Sequence, residues 1–414
     1  MSHADDAPII DPESAHELTA IMAQLKAWQP LAKRTRQAIH QAPELGFHEH
    51  KTRDLIIQKL TEYGVDEIDT RFGGTGVVAV IYGDPKSADQ NKGPTIGLRA
   101  DMDALPIEEE NTFSHISPHK NCMHACGHDG HVTMLLLAAK YLATFRGFKG
   151  KVILYFQPAE EGLGGARQMI DDEKLFDFYP ADRVYALHNW PGIPAGKMAF
   201  KPYNVMASTD NFTIHVEGKG GHAGMPQTSN DPLLMAMHIY QGIQGMVSRT
   251  FSPLDPVVIS VTQIHGGDTF NVIADSAEMN GTIRTQSDEV REDLLARLET
   301  LVTHIAKAFG GSARFELSDL ENPVAVNDLE ATHEATTIAR NLLGDENVLT
   351  DIEPMMAGDD FSYFLRHIKG CYAFIGNGSD SAPLHNSFYD FNDEILPIGA
   401  AYFAALVYGS PLQA

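Results

Sequence analysis

Cysteine is scarce in this chain of 414 residues, which has three in all, at Cys122, Cys126 and Cys371. A secreted disulfide scaffold needs a denser, paired set, so this number is typical of a reducing compartment. We therefore expect a cytoplasmic protein, in which a thiolate is available as a metal ligand.

Basic residues are also few. The 31 Lys and Arg stand against 55 Asp and Glu, which gives a formal net charge of −24. That balance disfavours nucleic acid or an anionic membrane as a partner. The segment Met1 to Pro12 lacks the pattern of a secretory signal, and we expect no later segment to span a bilayer. With 43% hydrophobic residues, the chain is predicted to be globular and to form two domains.

A dense group of nitrogen and sulfur donors occupies residues 121–131, directly before an apolar helical pattern. Cys126 and His128 flank Gly127, whose backbone freedom lets their donor atoms converge on one ion. This grouping predicts a metal site. Two other interpretations stay open at this point, a chance cluster of histidines and a local disulfide between Cys122 and Cys126.

Short apolar strands alternate with helical segments on both sides of this loop. The predicted strands are residues 76–82, 94–100, 151–156, 183–187 and 371–375, and the predicted helices include residues 15–40, 51–63, 329–343 and 395–408. This alternation favours an α/β fold with a mostly parallel sheet, in which functional groups gather beyond the carboxyl ends of the strands. Acids and histidines follow these ends, namely Asp103, Glu160, Glu161, His188 and His385. We expect them to meet the donor-rich loop at one edge of the sheet.

Between residues 200 and 320 the order of elements changes to β-α-β-β-α-β. The predicted strands are residues 210–217, 256–264, 276–285 and 313–317, and the predicted helices are residues 231–247 and 287–309. This order is typical of a ferredoxin-like α+β domain. We interpret residues 200–320 as a domain inserted into a metal-binding α/β domain made of residues 1–199 and 321–414.

The strand ends and the loop together offer thiolate, imidazole and carboxylate donors. Five of them are Cys126, His128, Glu161, His188 and His385. They are too many for one closed structural zinc site, but they suit two ions that share a bridging ligand. Paired ions polarise an amide carbonyl and lower the pKa of a bound water, which indicates a hydrolase. Glu160, next to Glu161 on a tight loop, is the natural general base and acid.

Five motifs carry a resemblance to a known family. They are LRADMDALP at residues 98–106, MHACGHDGH at 123–131, FQPAEEG at 156–162, GGHAGMP at 220–226 and PLH at 383–385. With them the chain resembles the amidohydrolase branch of the co-catalytic metallopeptidase family, which includes hippurate hydrolases, aminoacylases and auxin-conjugate hydrolases. The resemblance implies that the five donors bind two divalent ions, manganese, zinc, cobalt or nickel, and that Glu160 is the catalytic carboxylate. It also implies that the inserted domain is a lid and forms a homodimer.

One position departs from the peptidase branches of that family, where a His-x-Asp motif stands at residues 101–103. Here Asp replaces that His, and a thiolate substitutes for the missing imidazole. By the same comparison Asp103 keeps an orienting role and holds a metal-binding histidine by a hydrogen bond. The role of Asp101 stays open between structure and function. His124 and His131 are interpreted as structural residues or as supports for the ligands.

Three residues of the inserted domain are candidates for contact with substrate. His222 lies on the glycine-rich turn Gly220–Gly224, and a merely structural histidine would not require such freedom. By resemblance it completes the oxyanion site of the partner subunit. The resemblance also assigns Asn271 and Arg284 to substrate binding, and an arginine fork suits the free carboxylate of an acylated amino acid. A salt bridge within the sheet is the structural alternative for Arg284.

These features predict a metal-dependent amidohydrolase that splits N-acyl-L-amino acids, hippurate-like or N-acetylated, into a carboxylic acid and a free amino acid. A dipeptidase or aminopeptidase is the alternative within the family. Outside it, a cysteine hydrolase would use Cys126 as nucleophile with a histidine base, and a non-catalytic binding module would retain the inserted domain without the site. The acyl group, the amino acid and the native metal do not follow from the sequence.

Overall fold

The computed structural model describes residues 16–84 and 93–413, so the expectation for Met1 to Pro12 lies outside the described residues. The chain divides into two compact units. The first unit comprises Met1–Tyr203, Val326–Glu353 and Asp360–Ala414, and the second comprises Asn204–Ala325 and Pro354–Asp359. The predicted inserted domain, residues 200–320, does not include Pro354–Asp359, which belongs to the second unit in the structure.

The elements are numbered in chain order. The strands are β1 Glu67–Asp69, β2 Val77–Tyr82, β3 Thr95–Asp101, β4 Lys151–Gln157, β5 Arg183–Pro191, β6 Met198–Ala199, β7 Tyr203–Met206, β8 Asp210–Glu217, β9 Gly221–His222, β10 Val257–His265, β11 Val272–Ile273, β12 Ser276–Thr285, β13 Ser312–Leu317, β14 Ala325–Asn327, β15 Val348–Leu349 and β16 Gly370–Gly378. The α-helices are α1 Leu18–Ala27, α2 Gln29–His40, α3 His50–Tyr63, α4 His128–Thr144, α5 Gly165–Arg167, α6 Leu175–Phe178, α7 Pro232–Thr250, α8 Asp288–Ala308, α9 Leu329–Leu343, α10 Phe361–His367 and α11 Leu396–Tyr408. Short 3-10 turns lie at Pro226–Thr228, Asp345–Asn347, Asp393–Ile395 and Pro411–Gln413, and a π turn at Gln168–Asp172.

An eight-stranded sheet organises the first unit, in the order β1-β2-β4-β3-β5-β16-β6-β15. Its four central strands, β4, β3, β5 and β16, are parallel. β2 pairs antiparallel with both of its neighbours, and β6 pairs antiparallel with β16. The central strands are buried almost throughout, as expected of a sheet covered by helices on both faces. The predicted α/β fold is confirmed, with antiparallel pairs towards the flanks of the sheet.

Helices α4 and α11 pack together in the core of the first unit. Both are buried over nearly their whole length, because apolar residues occupy all their sides. Among the described residues, the segment Asp393–Gln413 is long and apolar enough to cross a membrane by length and composition, which differs from our expectation. It contains α11, however, and 72% of its apolar stretch is buried inside the protein, as in a core helix.

Three predicted boundaries are wrong. The single helix expected over residues 15–40 is two helices, α1 and α2, separated at Trp28, because Pro30 lacks an N–H group and favours the first turn of a new helix. α4 begins at His128, within the donor-rich residues 121–131, and not after them as the apolar pattern predicted. His188, expected just after a strand, lies within β5.

The second unit contains a four-stranded antiparallel sheet in the order β10-β12-β8-β13. Its elements follow one another as β8, α7, β10, β12, α8 and β13, the predicted β-α-β-β-α-β order. Alternate residues of β8 are buried, and its inward side chains pack with α7 and α8 in a separate core. β10 is an edge strand of this sheet.

Candidate metal centre

Gly127 shapes the backbone between the two donors of the loop. Its φ is 90°, a left-handed conformation that L side chains rarely adopt, and it directly precedes α4. A Cβ atom at this position would lie 2.2 Å from Oδ1 of Asn189 and 2.6 Å from the hydroxyl of Tyr389. Glycine is therefore required here, and Cys126 and His128 are buried on either side of it.

His128 has one nitrogen held and one nitrogen open. Its Nδ1 lies 3.1 Å from Oδ1 of Asp103, which fixes the ring. Its Nε2 is buried and has no hydrogen-bond partner among the described residues. That atom lies 3.9 Å from Oε1 of Glu161 and 4.0 Å from Oε2 of Glu160. Burial lowers the pKa of His128, but the carboxylates of Asp101 and Asp103 outweigh it and raise the pKa to about 10. The surroundings of this imidazole therefore attract a cation.

A second cluster lies beside the first and shares Glu161 with it. Donor atoms of Cys126, Glu161 and His385 all lie within 4.8 Å of one another, as do those of His128, Glu160 and Glu161. Oε1 of Glu161 is 3.4 Å from Nε2 of His385 and, like Nε2 of His128, it is buried without a hydrogen-bond partner in the described part of the chain. Two orphaned donor atoms facing a common space fit a bound cation.

His188 lies against the thiol of the donor-rich loop. Its Nε2 is 3.5 Å from Sγ of Cys126, and its Nδ1 is 2.7 Å from the carbonyl oxygen of Asn189. Burial, followed by the carboxylates of Glu161 and Glu160, raises the pKa of the Cys126 thiol well above its usual range. The thiol therefore lies among imidazole and carboxylate donors, the surroundings expected of a metal ligand.

Asp101 and His131 stand behind the donors. Nδ1 of His131 is 2.6 Å from Oδ1 of Asp101, and its Nε2 is 2.8 Å from Oδ1 of Asn189. Both nitrogens of His131 are thus engaged, and Asp101 also accepts a hydrogen bond of 2.6 Å from Arg99. His124 is different, because neither ring nitrogen has a partner among the described residues and burial lowers its pKa to about 4. Donor atoms of Asp101 and His131 also lie within 4.8 Å of those of His128 and His188, so their role as supports for the ligands stays a prediction.

The loop after β4 presents the two adjacent glutamates. Glu160 is buried, and the backbone N–H of Glu161 donates to Oδ2 of Asp103 at 3.0 Å. Asp103 therefore contacts both the ring of His128 and the backbone of this loop, and its orienting role stays a prediction. Because Glu160 and Glu161 both come within about 4 Å of the same nitrogen of His128, the structure brings the predicted base and the predicted ligand to one point.

Sequence reasoning missed Asp360, which lies just before α10. Its carboxylate accepts hydrogen bonds from Arg99 at 3.0 Å, from Gln157 at 2.7 Å and from the backbone of Ala166 at 2.9 Å. Gln157 and Ala166 lie at opposite ends of the loop that carries the two glutamates, so Asp360 ties both ends together. The acidic pair before the apolar start of α10 was the available signal.

Two of the three candidates of the second unit lie on strands, and the third, Asn271, directly precedes β11. His222 ends β9 and pairs with Val272 of β11, and its Nδ1 accepts the N–H of Gly224 at 2.9 Å. The carbonyl of Asn271 accepts the N–H of Ala223 at 3.0 Å, so Asn271 and His222 are neighbours.

Arg284 lies on a different strand, β12. It donates to the hydroxyl of Thr282 at 2.5 Å and to the carbonyl of Ile283 at 3.1 Å. Within the described residues it makes no salt bridge, but Asp210 acts on its charge, so the structural alternative considered for it stays open. Burial lowers its pKa, with Asp210 opposing that shift.

Comparison with known proteins shows what this architecture is similar to. The family model of peptidase family M20/M25/M40 matches residues 97–409 of this chain. The hippurate hydrolase of Campylobacter jejuni is 41% identical over 377 residues, 90% of this chain and 95% of that enzyme. Thermostable carboxypeptidase 2 of Saccharolobus solfataricus is 35% identical over 90% of this chain and 93% of its own. The crystal structure of Bacillus subtilis YXEP, a dinuclear metal binding peptidase from the M20 family, is 31% identical with a TM-score of 0.79, covering 92% of this chain and 98% of that chain.

Proposed function

We propose that this chain, which belongs to peptidase family M20/M25/M40 and is a metal-dependent amidohydrolase, hydrolyses the amide bond of N-acyl-L-amino acids. The observation that carries the proposal is the pair of orphaned donor atoms, Nε2 of His128 and Oε1 of Glu161, that lie 3.9 Å apart in a buried cluster. Such a cluster is costly in a folded protein unless a cation occupies it. The likeness to a hippurate hydrolase at 41% identity supports the substrate class.

Two divalent ions are proposed as the resident cofactor. The residues that would hold them are Cys126, His128, Glu161, His188 and His385. When bound, the ions polarise the scissile carbonyl and make water a stronger acid. Glu161 belongs to both donor clusters, so it is the proposed ligand common to the two ions. This mixture of thiolate, imidazole and carboxylate donors suits manganese, zinc, cobalt or nickel.

Glu160 is the proposed proton carrier of the reaction. Its carboxylate accepts a proton from the attacking water and then passes that proton to the departing amine nitrogen, so that one group acts as base and then as acid. Asp103 keeps Glu160 in place indirectly, because it holds the backbone of Glu161 and the ring of His128 at once.

The second unit is the proposed lid and dimerisation domain. Arg284, a half-buried cation that donates hydrogen bonds to a hydroxyl and a carbonyl, is proposed to bind the free carboxylate of the substrate together with Asn271. His222 is proposed to stabilise the oxyanion. We further propose a cytoplasmic homodimer with neither nucleic acid nor membrane as partner.

The similarity to a carboxypeptidase supports a second candidate function, the release of an amino acid from the end of a peptide. Both reactions leave a free amino acid, so the acyl side of the substrate discriminates between them. The cysteine hydrolase is less well supported, since the donor atoms of Cys126, Glu161 and His385 lie within 4.8 Å of one another, a grouping that suits a cation.

A substrate panel tests the proposal. The protein is treated with a chelator, reloaded with manganese, zinc, cobalt or nickel, and assayed with N-acetyl, N-benzoyl and indole-acetyl amino acids and with dipeptides. We expect no hydrolysis without metal. With metal bound, we expect one free amino acid to be released for each carboxylic acid formed. Faster cleavage of dipeptides would favour the carboxypeptidase, and full activity of the metal-free protein would contradict a metal-dependent reaction.

A further inference from the structure

The residue before Glu160 has an unusual backbone. Ala159 has a φ of 54°, in the left-handed region where residues other than glycine are uncommon. It is also fully buried. Such a conformation persists only when surrounding contacts hold it, and it commonly occurs at functional sites. Because Ala159 immediately precedes Glu160, its conformation sets the direction in which that carboxylate leaves the chain.

Glu49 supplies a contact that holds Ala159. Its Oε1 accepts the backbone N–H of Ala159 at 2.9 Å, and its Oε2 accepts the hydroxyl of Thr75 at 2.5 Å. The side chain is completely buried, and the donors to its carboxylate in the described part of the chain are a hydroxyl and a backbone N–H, not a cation. Burial raises the pKa of Glu49 to about 7. A buried carboxylate without a cation is costly, so its hydrogen bonds to Ala159 and Thr75 are what hold the Glu49 side chain in this position.

The two sides of Glu160 are held by different residues. On the far side, the N–H of Glu161 is bound by Asp103 at 3.0 Å. On the near side, Glu49 binds the N–H of Ala159, and the carbonyl of Ala159 accepts the N–H of Gly165 at 3.0 Å. The peptide groups on both sides of Glu160 are therefore fixed by hydrogen bonds, while its carboxylate is directed towards Nε2 of His128.

We propose that Glu49 is a positioning residue for the hydrolysis: by binding the N–H of Ala159 it keeps the left-handed bend that aims Glu160. This inference rests on the proposed function, in which Glu160 carries the proton. The length of the Glu49 side chain is the property that this role requires. The hydrogen bond from Ala159 needs an acceptor oxygen at the right distance and does not need a negative charge.

Two substitutions at Glu49 separate the effect of side-chain length from the effect of charge. Glu49→Gln removes the charge but keeps the length, and its amide oxygen can accept the N–H of Ala159 while its NH2 group donates to Thr75. Glu49→Asp keeps the charge but withdraws the acceptor by one methylene. We expect the Gln variant to retain kcat within about threefold and the Asp variant to lose about 10- to 100-fold, the scale of an ångström-sized misplacement. KM and the content of metal should stay unchanged in both.

Glu44→Ala is the matched control. Glu44 also accepts backbone N–H groups, from Lys51 at 2.8 Å and Thr52 at 3.1 Å, at the start of α3 next to Glu49. Its loss should lower Tm without changing kcat. Retained kcat in the Asp variant together with loss in the Gln variant would overturn the positioning role, and so would equal kcat in all variants. An inactive wild-type protein would overturn the proposed function and this inference with it, whereas an active wild type with unaffected Glu49 variants overturns this inference alone.

Discussion

Glu160 and Glu161 are adjacent in the chain but have different proposed roles, one as proton carrier and one as ligand. Glu160→Gln should keep both metal ions and lower kcat by about 10²- to 10⁴-fold, because the amide cannot accept the proton of water. Glu161→Gln should instead lose metal, because its Oε1 is the orphaned donor atom shared by the two clusters. Metal content by elemental analysis and kcat are measured on the same preparations.

The contrast between these two variants is the informative result. Equal loss of metal in both would show that the roles within the pair are assigned wrongly. Glu173→Gln serves as a control, because Glu173 accepts hydrogen bonds away from the donor clusters, and it should change neither quantity.

His40 makes the stability of the first unit depend on pH. Burial lowers its pKa, but hydrogen bonds to Asp129 at 2.8 Å and Glu109 at 3.2 Å raise it to about 9. An unfolded histidine titrates near 6.5. The stability that this charge contributes is therefore complete below about pH 6.5 and is lost as pH rises through 9, with a magnitude on the order of 3 kcal/mol.

Denaturant unfolding at pH 6, 7.5 and 9 measures that slope. His40→Gln should be less stable than the wild type at pH 6, and the difference should shrink by pH 9. His304→Gln, at an exposed histidine of α8, should leave the slope unchanged. A slope that is the same with and without His40 would contradict the charged state assigned to it.

Residues with local sequence signals were predictable, and residues whose partners are distant were not. Cys126, His128 and the two glutamates stand out because donors cluster within a few positions or follow an apolar strand. Asp360 acts on Gln157, 203 positions away, and Glu49 acts on Ala159, 110 positions away. No periodicity or motif spacing links such pairs, so only the fold brings them together.

At the scale of elements, the start of α4 is the feature on which the site depends. Gly127→Ala would place a Cβ 2.2 Å from Oδ1 of Asn189 in a backbone that already disfavours one. We expect loss of bound metal and a lower stability, by about 1–3 kcal/mol for the overpacking and roughly 1–2 kcal/mol for the left-handed strain. Metal content and Tm are measured together.

Gly64 serves as a control that separates backbone strain from steric overlap of an added Cβ atom. Gly64 ends α3 with a φ of 73°, but an added Cβ there would meet nothing within 4 Å. Gly64→Ala should therefore show the strain alone and keep its metal. Metal loss in both variants, or in neither, would mean that the close packing at Gly127 does not shape the donor loop.

Element types followed from periodicity, whereas the boundaries near the site did not. Apolar spacing carries across Trp28 and Pro30, so two helices looked like one. The first turn of α4 is made of His, Asp and Gly, which carry no helical signal, although Gly127 provides the abrupt entry. Functional residues occupy this turn, and local propensity is expected to fail where function selects the residues.

At the scale of the whole molecule, the β-α-β-β-α-β order was readable because each of its elements is long and regular. The place of the short segment Pro354–Asp359 in this unit could not be predicted from the sequence. It forms no helix or strand and joins the second unit through contacts such as the isolated β-bridge between Met206 and Met355. The edge strand β10 carries half-exposed Val258 and Ile264. Pairing of two such edges would bury them and give a symmetric dimer, as proposed for this unit.

A dimer built through the second unit allows its His222 to serve the site of the partner subunit, as the family resemblance implies. A developing oxyanion gains from a donor aimed at it, and His222 is exposed on a glycine-rich turn with Nε2 free to donate when Nδ1 accepts from Gly224. Mixing Glu160→Gln protein with His222→Ala protein, each nearly inactive alone, tests this. Under action in trans, a mixed dimer has one site with both residues intact and should recover about half of the wild-type activity per mixed dimer. Absence of recovery, with subunit exchange verified by differently tagged chains, would place the action of His222 within its own subunit.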